Sequence, residues 1–251
     1  MRAFRHAGDL GDIIYAMPVM RALCNGEPGA LLIEAASYTR QLLIPQNWCG
    51  IDVLLKQQPY VADVRAYRLG EGVTFNLNDF RARLFQSLRV GHGKNKHLTH
   101  WMCEAHGVDY RCMDEPWIQV AEPIKAARVV FVRAGAGRPN HQVYHNPTFP
   151  WHYVWEKYHK DAVFVGTEAE HEIFCGTCGK VPHFKTKDLN EAARVIAGCE
   201  LFVGNQTSTH AIAEAMKKRI VLEVWREGPN CLVFRKDVIH GWDQFVQLPD
   251  L

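Results

Sequence analysis

Glu200-Leu-Phe-Val-Gly-Asn-Gln-Thr-Ser-Thr-His210 runs without a break into Ala211-Ile-Ala-Glu-Ala-Met216. Residues 201–203 are a short apolar run of strand character, and Gly204-Asn205 is a turn. The small hydroxyl residues Thr207, Ser208 and Thr209 then precede an Ala-rich helix over residues 211–217. A strand that turns directly into a helix aims backbone N–H groups, and the positive end of the helix dipole, at one point. In a parallel α/β protein that point holds a phosphate or diphosphate. An ordinary strand–turn–helix with a Ser/Thr N-cap reads the same way, so the surrounding sequence has to decide.

Outward from this stretch the chain alternates strands and helices. Residues 2–7 read as a strand ending in Gly8-Asp9-Leu10-Gly11-Asp12. Ile13, Ile14, Met17, Met20 and Leu23 give a helical period over residues 13–23, with Pro18 inside it predicting a kink or a late start. Strands follow at 30–35, 51–55, 61–67 and 73–77, with helices at 38–44 and 95–106. The Pro-punctuated stretch 115–127 marks a boundary. The rhythm then repeats: strand 128–132, the turn Ala134-Gly-Ala-Gly137, helix 151–159, strand 162–165, a helix from Glu168, helix 189–197, strand 201–203, helix 211–217 and strand 220–224. The fold class expected is α/β, with two Rossmann-like parallel-sheet domains, residues 1–122 and 123–251, facing a central cleft. Residues 138–150 are expected to form a mobile loop near that cleft.

The bulk composition agrees. A chain of 251 residues that is 47% hydrophobic and 22% charged is a soluble globular protein with ample core. Its net charge of +2 provides no global basic field for nucleic acid. The eight scattered cysteines read as reduced thiols. The N-terminus has no signal-like apolar region, and no stretch approaches the roughly 18 apolar residues of a membrane span, so a cytoplasmic location is expected.

Asp12, after the first strand and at the start of the first helix, is placed to accept a proton from an attacking hydroxyl; in the alternative, Asp9 or Asp12 merely caps that helix. The glycines at 8 and 11 do not form a dinucleotide fingerprint. Arg133 and Arg138 flank the turn containing Gly135 and offer positive charge to an anionic leaving group. His171, Cys175, Cys178 and His183 have ligand types at zinc-like spacing, but free thiols are preferred and no metal is expected. The patch of His92, Lys94, Lys96, His97 and His100 is read as a solvated loop and helix face, and Trp101 and Trp117 as core or cleft wall.

Gly11-Asp12-Ile-Ile-Tyr-Ala-Met-Pro18 resembles the N-terminal motif of the heptosyltransferase-like glycosyltransferases, glycosyltransferase family 9. So, in order, do Val129-Val-Phe-Val-Arg-Ala-Gly-Ala136, Phe149-Pro-Trp151, Gly166-Thr-Glu-Ala-Glu170 and the stretch 189–216, with His210 at the family's histidine. The resemblance implies a GT-B fold and metal-independent transfer of a hexosyl- or heptosyl-type sugar from a nucleotide-sugar donor to an acceptor hydroxyl (EC 2.4). No cofactor is implied beyond the donor. Asp12 falls on the family's catalytic base and Glu170 on the residue that contacts the donor ribose. Gly11, Arg133, Gly135, Arg138, Asn205, Gln206, Thr207, Ser208, Thr209 and His210 then surround the donor diphosphate. The acceptor implied is a glycan, a lipid-linked sugar or, in a phage-type enzyme, a modified nucleobase. A non-catalytic nucleotide-sugar-binding paralogue, or an epimerase or hydrolase of like architecture, is the alternative. The sequence departs from the family at Asn205-Gln206-Thr207-Ser208, where Asn-Asp-Ser-Gly is usual. It departs again at Phe149-Pro150, since a Lys or Arg usually precedes the tryptophan. The chain is also short for the family, which implies a reduced or different acceptor.

Overall fold

A parallel sheet needs a crossover between each pair of strands and helices over both faces, so its strands read as continuous apolar runs. The strands over residues 29–33, 129–132, 162–164 and 201–205 of this protein follow that rule, buried at every position. The computed structural model describes residues 1–35, 44–89, 96–135 and 145–251. The first half contains β1 (Ala3–His6), α1 (Leu10–Cys24), β2 (Gly29–Ile33), α2 (Ile51–Lys56), β3 (Val61–Ala66), β4 (Phe75–Asn76), α3 (Phe80–Arg89) and α4 (Leu98–His106), followed by a 3-10 turn at Tyr110–Met113. The second half contains β5 (Val129–Val132), α5 (Trp151–Tyr158), β6 (Ala162–Phe164), α6 (Glu168–Thr177), α7 (Leu189–Gly198), β7 (Leu201–Asn205), α8 (Ser208–Ala215), β8 (Arg219–Glu223) and β9 (Val238–Gly241). The strands form two all-parallel sheets, β3-β2-β1-β4 and β6-β5-β7-β8-β9. In the second sheet Val132 pairs with Gly204 and Asn205 with Glu223, so the carboxyl ends of β5, β7 and β8 lie level. The two-sheet α/β architecture is the one expected from the sequence.

Several local expectations are corrected. Residues 51–55 form a helix rather than a strand, because their buried positions Ile51, Leu54 and Leu55 follow helical spacing. Helix α1 starts at Leu10 rather than 13, and α8 at Ser208 rather than 211. Helix α3 and strand β9 were not anticipated. The helix expected at 38–44 falls almost wholly outside the described residues.

Helix α1 carries an unbroken buried run from Ile13 to Met20, which marks a helix enclosed on all sides. Pro18 lies within that run, and its missing N–H would have bonded the Ile14 carbonyl. The Trp117 indole takes over that bond, donating from Nε1 to Ile14 O at 3.0 Å. One residue on, Thr99 Oγ1 donates to Tyr15 O at 2.7 Å. The Trp117 backbone N–H also reaches the other half of the chain, donating to Ala215 O at the end of α8 (3.0 Å). Its carbonyl accepts from Tyr60 Oη at 2.5 Å, and its ring lies under the Lys217 ammonium. Helices α1 and α8 pack together here, α2 packs on α7, and Leu189 N at the start of α7 donates to Cys49 O, just before α2, at 2.7 Å. One apolar core therefore runs through residues of both halves.

Replacing Trp117 with Phe leaves a buried carbonyl unpaired and is expected to destabilise the fold by about 1–3 kcal/mol. In a Pro18→Ala background the helix supplies its own donor to Ile14. The same Trp117→Phe change should then cost about 1 kcal/mol less, as measured by a denaturant double-mutant cycle. Equal costs in the two backgrounds would contradict the assigned role.

Candidate active site

The carboxyl ends of the strands in the two halves meet across α1 and α8. On the first side, β1 ends at His6 and the chain turns through Ala7 and Gly8. Asn78, just after β4, fixes this turn by accepting from Ala7 N at 2.9 Å, and Gly8 N donates to His6 Nδ1 at 2.9 Å. A Cβ at Gly8 would stand 2.5 Å from Asp12 Cβ, 2.5 Å from His6 Cε1 and 2.6 Å from Arg81 Nη2. Only glycine lets these three side chains converge there. Arg81 donates to Asp12 Oδ2 at 2.9 Å. It is brought there by the turn before α3, where Asn76 Nδ2 bonds Asp79 Oδ1 at 2.6 Å and Arg81 N bonds Asn78 O at 2.9 Å. The Arg81 side chain is 7% exposed and that of Asp12 22%, so the carboxylate keeps an open face while its partner is enclosed. Burial pushes the Asp12 carboxyl above its ordinary range, and Arg81 works against that rise.

On the second side, β7 turns into α8 through Asn205-Gln206-Thr207. Thr207 occupies the N-cap position but its side chain caps no amide. Its hydroxyl instead donates to Asn205 O (3.3 Å) and pairs with Thr209 Oγ1 (2.8 Å). Thr207, Ser208 and Thr209 are all partly exposed. A Cβ on Gly11 would lie 3.6 Å from the Cα and N of Ser208. The first turns of α1 and α8 are therefore in contact, and the two motifs singled out in the sequence share one place.

The other expected site residues have partners that the sequence did not disclose. Asn205 is fully buried and pairs at both ends with Ala134, accepting from its N (3.1 Å) and donating to its O (2.9 Å). Gln206 clamps the segment after β8, donating to Gly228 O (3.1 Å) and accepting from Trp225 N (2.8 Å). His210 is fully buried, and its Nδ1 pairs with Tyr15 Oη of α1 at 2.9 Å. Glu170 closes a capping box with Thr167 and accepts from Gly135 N at 2.9 Å. It thus ties the start of α6 to the turn after β5. Arg133 Nε donates to Glu223 Oε2 at 3.4 Å. Arg138 and most of the 138–150 loop lie outside the described residues. The described end of that loop is anchored, with Asn146 N donating to Glu223 Oε1 at 2.7 Å.

Sequence reasoning missed three residues of this constellation. Arg81 follows Asn76-Leu-Asn-Asp79, an Asx-rich turn between a strand and a helical pattern, which was a readable signal. Glu223 is a carboxylate inside the apolar run of β8, fully buried and held by Asn146, Trp151 Nε1 (2.7 Å) and Arg133. Buried charges are paired, so its position alone called for partners. Tyr15 gave no signal beyond its place in an apolar helix.

Elsewhere, His171 Nε2 faces Val181 O at 2.8 Å and its ring stacks on His183, with Cys175 Sγ 3.3 Å from the same nitrogen. No group of three or more metal-ligating side chains occurs among the described residues. His92 and Lys94 lie outside the described residues. Lys96 pairs with Glu104 and covers the Trp101 ring, while His97 is buried against Tyr15 and so departs from the solvated face expected. Both Trp101 and Trp117 are buried. No described helix is long and apolar enough to cross a membrane.

Burial holds His6 and His210 down to about 3, with Arg81 adding to the effect at His6 and His240 and Arg235 at His210. Burial also holds His97 well below its usual value. Unfolding lets all three rings bind protons below about pH 6.5, so the unfolded state takes up more protons and stability falls as pH drops through that window. Asp12, with its raised value, acts in the opposite sense, but it is one group against three. The melting temperature is expected to fall steadily from about pH 6.5 to about pH 4.5, each ring contributing up to about 1.4 kcal/mol per pH unit. A flat profile over that range would contradict the burial of these rings.

The fold has clear relatives among solved structures. It is similar to the glycosyl transferase family 9 protein of Veillonella parvula DSM 2008, with 12% identity, 95% of this chain and 84% of that one covered, and a TM-score of 0.59. It is similar to E. coli heptosyltransferase WaaC with ADP-2-deoxy-2-fluoro heptose, with 12% identity, coverage of 96% and 92%, and a TM-score of 0.59. It is also similar to E. coli ADP-heptose lps heptosyltransferase II, with 13% identity, coverage of 96% and 90%, and a TM-score of 0.53. At these identities the likeness establishes the fold, the two-sheet GT-B arrangement. No protein-family model and no curated protein matches the sequence.

Proposed function

We propose that this protein is a glycosyltransferase that moves a sugar from a nucleotide-sugar to an acceptor hydroxyl, with Asp12 as general base and the first turn of α8 as the seat of the donor diphosphate. The observation that carries this reading is the closeness of Gly11 to Ser208, where an added Cβ would lie only 3.6 Å from the Ser208 Cα and N, which sets a partly open carboxylate beside a helix N-terminus whose N-cap side chain bonds no amide. A nucleophile's proton and a leaving diphosphate's charge are the two things such a transfer must manage. The WaaC neighbour, solved with ADP-2-deoxy-2-fluoro heptose, supports a donor of this class.

In this reading Asp12 takes the proton from the acceptor hydroxyl as its oxygen attacks the anomeric carbon. Arg81 keeps the buried carboxyl from rising too far to act as a base near neutral pH. The bond from the sugar to the diphosphate breaks, and the developing charge meets the amides of Ser208 and Thr209, the hydroxyl groups of residues 207–209 and the α8 dipole. These groups do that work without a metal, so transfer is expected to persist in a chelator. Asn205, Gln206 and His210 act indirectly by fixing the turn, and Glu170 acts on Gly135, with the ribose contact a further role for its carboxylate. The heavy internal use of Asn205, Gln206 and His210 also favours a second reading, a nucleotide-sugar-binding protein without turnover.

Nucleoside diphosphates at about 100 times their Kd are expected to raise the melting temperature by roughly 5–10 °C. No response to any nucleotide or nucleotide-sugar would contradict both readings. Asp12→Asn should lower kcat about 10²–10⁴-fold and leave nucleotide affinity unchanged. Full transfer by that variant removes the base assignment, and nucleotide binding without turnover by the native protein, across a broad acceptor panel, favours the second reading. Arg81→Met should move the acid limb of kcat/KM to higher pH, with Arg81→Lys restoring part of the shift. An unmoved limb would separate Arg81 from the base.

A further inference from the structure

Helix α4 ends at His106, and Gly107 at φ +64° reverses the chain, with Val108 N returning to Cys103 O at 2.9 Å. The 3-10 turn at Tyr110–Met113 then folds back onto the last turn of α4. Asp109 caps that turn by accepting from Arg111 N at 2.9 Å. This reversal brings Cys103 Sγ and Cys112 Sγ to 3.6 Å. Cys103 is buried and Cys112 is half-buried, so Cys112 is the more accessible of the two residues. The turn is also gripped from α1, where Arg21 donates to Cys112 O at 2.7 Å and to Pro116 O at 2.6 Å.

We propose that Cys103 and Cys112 are a reversible thiol–disulfide pair, with Cys112 the sulfur that peroxide attacks and Cys103 the sulfur that resolves it. The sulfurs need to close by about 1.5 Å to reach the roughly 2.05 Å of a disulfide. The thiolate of Cys112 attacks one oxygen of hydrogen peroxide, the O–O bond breaks, and hydroxide leaves Cys112 as a sulfenic acid. Cys103 then attacks that sulfur, the S–O bond breaks, and water carries off the hydroxyl with the Cys103 proton. Two thiols and one peroxide thus become one disulfide and two waters. The electrostatics agree with these roles. The contact with Cys103 holds the Cys112 thiol below its ordinary value, and Arg21 helps, against burial, Asp109 and Asp114. The same contact and burial push Cys103 up. The bond would tie α4, which supports Tyr15 through Thr99, to the segment that leads into Trp117.

The sequence makes the test direct, because trypsin cuts after Lys96, Arg111 and Lys125 and leaves Cys103 and Cys112 on separate peptides, each the sole cysteine of its peptide. The full chain is treated with limiting hydrogen peroxide, its remaining thiols are alkylated, and the digest is read by mass spectrometry. The expected result is a cross-link of peptide 97–111 to peptide 112–125, with alkylation lost at both cysteines and restored by dithiothreitol. In Cys103→Ser the reaction should stop at a sulfenic acid on Cys112, trapped by dimedone. Alkylation of both cysteines after peroxide, or cross-links that instead join other cysteines, would overturn the pair. In the Cys112→Ser protein, dimedone labelling of Cys103 as fast as that of Cys112 in Cys103→Ser would overturn the assignment of roles.

Discussion

A proline in the middle of a fully enclosed helix leaves a carbonyl that the helix itself cannot satisfy, and Trp117 answers it. Its indole N–H goes to Ile14 in α1, and its backbone N–H to Ala215, one of the end carbonyls of α8 that have no partner within that helix. A single residue therefore meets obligations in two helices from different halves of the chain. The bond fixes α1 against α8, and with them the distance between the first turns of the two helices. Phenylalanine fills much of the space but donates nothing, and the tyrosine hydroxyl stands at a different place on its ring, so the constraint belongs to tryptophan.

The site inherits its geometry from that packing. Gly11 lies beside Ser208 because the helices below them are held, and Gly8 gives Arg81 room to reach Asp12. The polar groups beneath are spent on the framework: His210 on Tyr15, Asn205 on Ala134, Gln206 on the segment after β8. Burial keeps His6, His97 and His210 neutral, so they add no positive charge to the cleft. In the proposed transfer the diphosphate meets backbone amides and hydroxyl groups, with the α8 dipole behind them.

The alternation of strands and helices was legible because parallel strands are apolar throughout and short turns punctuate them. The order of strand β7, its turn and α8 could be read directly, although β7 runs on through Gly204 and Asn205, where a turn was expected, and α8 starts at Ser208. The failures have physical causes. The run 51–55 is too short to show its period plainly, although Ile51, Leu54 and Leu55 already carry helical spacing. Pro18 suggested a late start, yet α1 begins at Leu10, because the donor that serves Ile14 in place of the missing N–H comes from about a hundred residues away in sequence, which no local pattern can contain. For the same reason the chain disclosed Asp12 but not Arg81, and Gln206 as a departure but not as a clamp. Spacing identifies which residues stand at a strand's end, and only tertiary structure shows which polar atoms remain available there.

The central claim is that the first turns of α1 and α8 form one diphosphate site. Amide-resolved NMR of the full chain during titration with a nucleoside diphosphate tests it most directly. The Gly11, Ser208 and Thr209 amides are expected to shift together along a single saturation curve. Saturable shifts confined to other parts of the chain, with these three amides unmoved, would contradict it.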